Sequence, residues 1–150
     1  MNEIKAVSPV APCGIYCTLC PIYVADKGNH LNFKKILAHE LKVTENDIRC
    51  EYCLSDKPFI YCSQCEVRNC TVDKNIEGCY RCDDYPCSKI DAMDLLTKSW
   101  IKRSVPAIKE MGIERFMEEE EKRCRCPNCD YRLFLGARKC RNCGNEVNLE

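Results

Sequence analysis

Cysteine is the residue type in this sequence that most clearly indicates a chemical role, as a metal ligand or a disulfide partner. Sixteen of the 150 residues are cysteine, above the roughly 8–10% at which a short chain is interpreted as a scaffold held by disulfides or by metal. The N-terminal sequence MNEIKAVSPVAPC lacks the apolar segment of ~7–15 residues that a secretory signal needs, and no later run approaches the ~18 residues of a membrane span. We therefore expect a cytoplasmic protein, in which clustered thiols are metal ligands rather than disulfides.

The clearest metal motif lies near the C-terminus. Cys126 and Cys129 form one C-x2-C pair, Cys140 and Cys143 form a second, and ten residues separate the two pairs. Each pair turns two thiolates in the same direction, and a hairpin over residues 131–139 is long enough to bring both pairs to one ion. The alternative is a pair of disulfides, which a reducing compartment disfavours. The spacing predicts a zinc ribbon with a closed, structural site.

The middle of the chain carries an internal repeat of three thiols. Cys62-x2-Cys65-x4-Cys70 is repeated seventeen residues later as Cys79-x2-Cys82-x4-Cys87. Three thiols leave a tetrahedral ion one ligand short, so the fourth must come from another cysteine, a histidine or water. The eleven candidate ligands of this part of the chain are Cys13, Cys17, Cys20, Cys50, Cys53, Cys62, Cys65, Cys70, Cys79, Cys82 and Cys87. We expect three to four zinc ions in the whole chain.

Three further residues are weaker candidates. His30 lies near the expected start of the first long helix and His39 lies beside its apolar stripe, and histidines in such places are more often solvated or capping residues than ligands. Cys124 falls two residues before the first ligand of the C-terminal motif, outside its spacing. We interpret Cys124 as a spare or buried thiol.

Short helices must position the thiols of the first half. Phe33, Ile36, Leu37 and Leu41 recur at steps of three and four residues, which predicts a helix over 31–41 with one apolar face. After it, Thr44 followed by Asp47 indicates a capped turn of helix that leads to Cys50.

The second half is predicted to be more helical. Ser88 with Asp91 three residues later indicates a helix start, with Ile90, Met93 and Leu96 or Trp100 as its buried stripe. Ser104-Val105-Pro106 is typical of the first turn of another helix. Gly112 should interrupt that helix, and a further stretch carrying Ile113, Phe116 and Met117 leads to the C-terminal motif.

The predicted fold is a small metal-stabilised α+β protein in three segments. Residues 1–103 form a cysteine-rich module with short helices, residues 104–121 a helical linker, and residues 122–150 a zinc ribbon hairpin. Large aliphatic and aromatic residues are sparse between Cys13 and Cys87. Small domains of this kind use metal to offset chain entropy, so folding should depend on metal.

Charge is unevenly distributed although the net charge is zero. Residues 122–143 contain one acid, Asp130, and follow the acidic run Glu118–Glu121. Their seven basic residues are Lys122, Arg123, Arg125, Arg132, Arg138, Lys139 and Arg141. This basic segment, with Tyr131 and Phe134, is a candidate nucleic-acid surface, and a protein partner is the alternative. We expect a monomer with no membrane contact, and we identify no small-molecule substrate.

Four cysteine motifs together resemble one known family. CGIYCTLCPIY, CEYC, YCSQCEVRNC and GCYRCDDYPCSKI are similar to the domain of unknown function 3795 family of bacteria and archaea, a prokaryotic cysteine-rich domain. The resemblance runs from about Pro12 to the helix after Cys87 and includes all eleven cysteines. It implies zinc binding and, in many such proteins, a helix and a zinc ribbon that follow. It implies no activity.

Three classes of function follow from these observations. A zinc-scaffolded interaction module comes first. The second is an iron-sulfur protein, because Cys13-x3-Cys17-x2-Cys20 has the spacing of a three-thiolate cluster motif, although the chain is too short for the barrel of ~200 residues that usually accompanies it. The third is a zinc enzyme with an open ligand position, for which Glu66, Asp83 and Asp84 are the nearby carboxylates. No catalytic motif is present in the sequence, so we assign no catalytic residue and expect a protein that is not an enzyme.

Overall fold

Short helices dominate the computed structural model, which describes residues 8–149. The helices of the described residues are α1 (Pro21–Lys27), α2 (Leu31–Leu41), α3 (Ile60–Ser63), α4 (Glu66–Asp73), α5 (Ser88–Asp91), α6 (Leu95–Met111) and α7 (Ile113–Arg123). Three single 3-10 turns lie at Cys17–Leu19, Glu45–Asp47 and Cys79–Arg81. The protein is therefore small and mostly helical.

The prediction for the first long helix is confirmed in its bounds but not in all of its buried face. Helix α2 spans Leu31–Leu41, and its one buried residue is Ala38. Ile36, expected on the apolar face, is 60% exposed. After the helix, the backbone N–H and the hydroxyl of Thr44 both donate to the Asp47 carboxylate, at 2.8 and 2.7 Å. The predicted capped turn is thus confirmed as the 3-10 turn Glu45–Asp47.

Helix α6 differs from the prediction that a new helix begins at Ser104. One continuous helix runs through this point from Leu95 to Met111, with Pro106 inside it. Its N-terminus is capped by Asp94, whose carboxylate accepts from the Thr97 N–H at 3.0 Å. A proline in a helix removes one backbone hydrogen bond. The cost is offset because the buried stripe continues across it, formed by Trp100, Ile101, Ser104, Val105 and Ile108.

Gly112 ends α6 as the sequence predicts. Its φ of +83° lies in the left-handed region that favours glycine, and α7 begins at the next residue. The expected boundary between residues 103 and 104 falls inside α6. The division into three segments remains a prediction.

The β structure of the described residues consists of isolated bridges. Val10 pairs with Tyr16, Arg125 with Arg132, and Lys139 with Glu146, all antiparallel. The last two bridges flank the C-terminal C-x2-C turns. The α+β class and the C-terminal hairpin remain predictions, because these bridges do not extend into strands.

The main hydrophobic core is built from both halves of the chain. Leu19 comes from the N-terminal part, Ile101 and Val105 from α6, Phe116 from α7, and Leu133 from the C-terminal segment. A second buried cluster is formed by α1 and α2 together with the loops that follow them. Its central residues are Ile22, Ala25, Ala38, Ile48 and Phe59. Residues around the C-terminal motif are thus packed into the same core as the cysteine-rich half.

Candidate metal centre

Two turns of the same shape hold the four cysteines that we call the C-terminal quartet: Cys126, Cys129, Cys140 and Cys143. In the first turn the N–H of Asp130 donates to the carbonyl of Cys126 at 2.9 Å, and in the second the N–H of Gly144 donates to the carbonyl of Cys140 at 2.9 Å. Asp130 and Gly144 both have positive φ, +61° and +74°. Each turn therefore reverses the chain immediately after its second cysteine.

The four thiols converge on a single point. The Sγ atoms of Cys126 and Cys143 lie 3.6 Å apart, as do those of Cys129 and Cys140, and all four lie within 4.8 Å of one another. A tetrahedral ion with Zn–S bonds of about 2.3 Å requires Sγ atoms roughly 3.8 Å apart. The C-terminal quartet can therefore hold a metal ion.

Two asparagines support this quartet across the turns. Asn142, in the second turn, donates through Nδ2 to the Sγ of Cys129 in the first turn, at 3.5 Å. A side-chain hydrogen bond from Asn128 of the first turn, followed by the backbone N–H of Asn145, lowers the pKa of Cys143 to about 6. Sequence reasoning missed both asparagines. Their signal was their shared position, directly before the second cysteine of each pair.

The quartet is buried on one side and open on the other. Cys126 and Cys140 are buried, Cys129 is half-buried, and Cys143 is exposed. Burial raises the pKa of Cys126 to about 11. Metal binding must therefore displace a proton from this thiol at neutral pH, so affinity should rise with pH.

The segment that carries the quartet is attached to the rest of the protein by specific contacts. The N–H of Leu135 donates to the carbonyl of Leu19 at 2.8 Å. The ring of Phe134 lies 4.8 Å from that of Phe33, centroid to centroid. The Arg141 guanidinium lies 4.7 Å from the centroid of the same Phe33 ring. These contacts join the second C-x2-C turn and the residues before it to α2 and to the 3-10 turn Cys17–Leu19.

The eleven cysteines of the other half form a wider network. Burial raises the pKa of Cys17, and the neighbouring thiols of Cys20, Cys13 and Cys50 act in the same direction. Burial raises the pKa of Cys20 to about 12, and the neighbouring thiols of Cys62 and Cys50 act in the same direction. A hydrogen bond between the Cys53 and Cys62 thiols, together with burial, raises the pKa of Cys62. Sequence-distant thiols are thus brought near one another.

Two further contacts organise this network. Arg68 of α4 donates through Nε to the carbonyl of Cys53 at 2.9 Å, which ties α4 to the loop that carries Cys50 and Cys53. Burial raises the pKa of Cys13 to about 12, with smaller contributions from Cys65 and Cys62.

A second set of four thiols lines a cavity of about 100 Å³. We call Cys70, Cys79, Cys82 and Cys87 the cavity quartet. Burial, followed by the thiols of Cys82, Cys87 and Cys70, raises the pKa of Cys79 to about 11. Over residues 8–149, the C-terminal quartet is the one group of three or more candidate ligands whose atoms all lie within 4.8 Å. The cavity quartet is therefore more widely spaced.

The weaker candidates lie outside the C-terminal quartet. His39 has a side chain that is 88% exposed. His30 precedes α2 at its N-cap position, and burial followed by the charge of Arg141 lowers its pKa. Cys124 is fully buried in the main core. The one close group of ligand atoms found in the described residues therefore does not include His30, His39 or Cys124.

Most of the basic side chains near the quartet have partners. Lys122 pairs with Glu119 at 3.1 Å and Arg123 with Glu120 at 3.1 Å. Arg132 donates through Nε to Glu121 at 3.0 Å. Arg125 donates to the carbonyl of Asp130 at 3.4 Å. Much of the positive charge is thus neutralised by α7.

This arrangement defines a cysteine-rich protein with a candidate metal site of four thiols, built on a helical scaffold. A family model described as "Protein of unknown function (DUF3795)" matches residues 9–92, more than half of the 150 residues. The chain belongs to this family, which confirms the resemblance seen in the four cysteine motifs. No curated protein and no solved structure matches the chain. In the described part of the chain, no helix combines the length and apolar character needed to cross a bilayer.

Proposed function

We propose that this protein is a metal-scaffolded interaction module whose C-terminal segment is a zinc ribbon with a hairpin between its two turns. The observation that carries the proposal is the C-terminal quartet, with two Sγ pairs at 3.6 Å. Four thiolates in a tetrahedral arrangement select zinc or iron, and a single ion closed by four protein ligands is typical of structural zinc. Such a site has no open position for a substrate.

The role of the ion in this proposal is to hold a surface in place. Leu133, Leu135 and Leu149 of the C-terminal segment are buried in the main core. A zinc ion bound between the two turns fixes the ends of the loop that presents Leu133 and Leu135. The metal thus stabilises the packing of the C-terminal segment against the helical half of the protein. In this proposal a partner binds the exposed surface that these two parts form together.

Metal analysis of matched variants tests the proposal. We expect purified wild-type protein to contain zinc, and Cys143→Ser to lose one equivalent of it. Cys124→Ser is the matched control, because Cys124 lies nearby in sequence but outside the quartet, and it should keep the full complement. Equal zinc in Cys143→Ser and wild type would refute the assignment of the ribbon.

A nucleic-acid contact through the ribbon is the second candidate. Arg138 and Lys139 are exposed and form no ion pair among residues 8–149. Tyr131 is exposed nearby in sequence, at 39%. Unpaired basic side chains with an aromatic residue favour phosphate and base contacts.

The test compares nucleic-acid binding after substitution of basic residues that form no ion pair with binding after substitution of a basic residue that does. The double variant Arg138→Ala, Lys139→Ala should weaken binding to RNA or DNA and reduce its salt dependence. Lys122→Ala should have a smaller effect on binding, because Lys122 is already paired with Glu119 at an exposed position. Absence of retention on nucleic acid at low salt would leave a protein partner as the proposed class.

A further inference from the structure

The cavity quartet differs from the C-terminal quartet in what lies between its thiols. Cys70 belongs to α4, Cys79 and Cys82 lie at and after a 3-10 turn, and Cys87 directly precedes α5. All four line the same cavity, because α4 packs on α5. The four thiols thus come from three separate elements and surround a shared space.

The volume of this cavity indicates what kind of metal group the cavity quartet can hold. The cavity measures about 100 Å³, whereas about 10–15 Å³ on the same kind of measure is enough for one water molecule. A mononuclear tetrahedral site leaves no such space, because its Sγ atoms lie roughly 3.8 Å apart. The C-terminal quartet, whose ligand atoms all lie within 4.8 Å, is close to that spacing, whereas the cavity quartet forms no such close group among residues 8–149. A polyatomic core fits the cavity quartet better than a single ion.

The residues that line the cavity indicate which polyatomic group it can bind. Four cysteine thiolates are the ordinary ligand set of a [4Fe-4S] cluster. Lys74 donates through Nζ to the Sγ of Cys82 at 3.5 Å and to Asp84 Oδ2 at 2.6 Å. Lys89 also lines the cavity. The Asp84 carboxylate lies on the same wall and offsets one of these two ammonium charges, so the charged side chains of the lining leave one positive charge to face a cluster that is anionic with its thiolates.

Apolar side chains complete the wall. Val67 and Ile90 are buried, and both line the cavity together with Ile76 and Tyr85. Limited access to solvent and hydrogen bonds to sulfur are the protein features that stabilise iron-sulfur clusters and set their potentials. The lining thus combines thiolates, a donor to sulfur and an apolar shell.

We infer that Cys70, Cys79, Cys82 and Cys87 ligate a [4Fe-4S] cluster, with Lys74 as a positioning residue that donates to the Cys82 sulfur. The inference rests on the proposed function in one respect only, that thiols of this protein are metal ligands. It assigns the cluster to this quartet rather than to Cys13, Cys17 and Cys20, the motif whose spacing indicated one. The C-terminal quartet keeps its zinc.

The experiment uses the full chain, produced with supplied iron and purified without oxygen. Iron, acid-labile sulfide and zinc are measured in the same sample. We expect about four irons and about four sulfides per chain, with a broad absorption near ~400 nm that reduction bleaches. Cys70→Ser should lose the iron and keep the zinc, and Cys143→Ser should keep the iron and lose one zinc. Failure of the ribbon and failure of the cluster therefore give different results.

Two results would overturn the inference. The first is wild-type protein without iron in which Cys70→Ser loses one zinc, which identifies a mononuclear site. The second is loss of iron in Cys143→Ser but not in Cys70→Ser, which moves the cluster elsewhere.

A second variant keeps the test decisive if Cys70→Ser does not fold. Lys74→Gln removes the charged donor to the Cys82 sulfur without removing a ligand. It should retain the iron and lower the reduction potential of the cluster, because a positive group no longer stabilises the reduced form. Lys42→Gln, on an exposed residue after α2, is the control. Equal potentials in Lys74→Gln and wild type would contradict a cluster in this cavity.

Discussion

The C-terminal quartet and the cavity quartet use the same ligand type in different ways. In the first, two turns of equal shape bring the thiols to a spacing that suits one ion. In the second, three helical elements place the thiols around a cavity of about 100 Å³. The element that carries a cysteine therefore matters as much as the number of cysteines. Tight turns favour a single ion, and separate helices leave room for a larger group.

The largest effect should follow from breaking the C-terminal quartet at a buried ligand. Cys140→Ser should destabilise the protein by more than about 4 kcal/mol, because loss of a structural metal belongs to the most damaging class of change. The loss should reach beyond the segment, since Cys140 itself is part of the main core. Urea unfolding followed by circular dichroism measures it. A change below about 1 kcal/mol would show that the metal site does not support the core.

A buried ion-pair cluster between α6 and α7 should give the next effect. Glu120 is 3% exposed at its side chain and pairs with Arg103 at 2.6 Å and Arg123 at 3.1 Å. Glu120→Ala leaves two partly buried guanidinium groups without their partner, and the expected loss is about 3–5 kcal/mol. Glu119→Ala, at an exposed neighbouring position, is the control and should change stability by less than about 1 kcal/mol.

The same carboxylate predicts a pH dependence. Burial acts to raise the pKa of Glu120, but hydrogen bonds from Arg103 and Arg123 outweigh it and hold the pKa below its ordinary value. The pKa is then lower in the folded than in the unfolded state. Its contribution to stability is present above the ordinary value of about 4.3 and is lost as the pH falls through the folded value. Unfolding of wild type and Glu120→Gln should therefore converge as the pH falls below about 4.

A smaller effect is expected on the zinc affinity of the C-terminal quartet, with no effect on the cavity quartet. Asn142→Ala removes a hydrogen bond to the Cys129 sulfur, and loss of such a supporting contact typically costs 10–100-fold in metal affinity. Asn148→Ala, exposed and outside both turns, should leave affinity unchanged. Competition with a chromophoric zinc chelator measures both. Iron content should be equal in the two variants.

The smallest effect concerns the link between the two regions. Glu121 accepts from Tyr16 of the cysteine-rich half at 2.8 Å and from Arg132 of the C-terminal segment. Because Glu121 is 31% exposed at its side chain, Glu121→Gln should cost only about 1 kcal/mol or less. Thermal unfolding should show one transition in wild type. Two separated transitions in wild type would contradict the shared core.

Local patterns in the sequence predicted much of the structure. The spacing of Phe33, Leu37 and Leu41 predicted the bounds of α2, and the two C-x2-C pairs predicted which four thiols meet. Both depend on residues close in sequence, where periodicity and turn geometry decide the outcome. The family was likewise recognised from its motifs, and the match to residues 9–92 confirms it.

Contacts between distant residues could not be predicted in this way. The continuous helix through Pro106 depends on a buried stripe supplied by tertiary packing. Exposure of Ile36 reflects which face of α2 meets α1. The hydrogen bond from Leu135 to Leu19 joins residues far apart in the chain. No local pattern shows that the C-terminal segment and the cysteine-rich half share one core.

We propose above all that the C-terminal quartet binds zinc through four thiolates. Zinc K-edge X-ray absorption on the full chain, with Cys143→Ser as reference, tests it most directly. The expected result for wild type is a shell of four sulfurs at about 2.3 Å, with one zinc fewer in the variant. Nitrogen or oxygen ligands on the zinc ion that Cys143→Ser loses, obtained from the difference between the two spectra, or the same zinc content in both proteins, would contradict the claim.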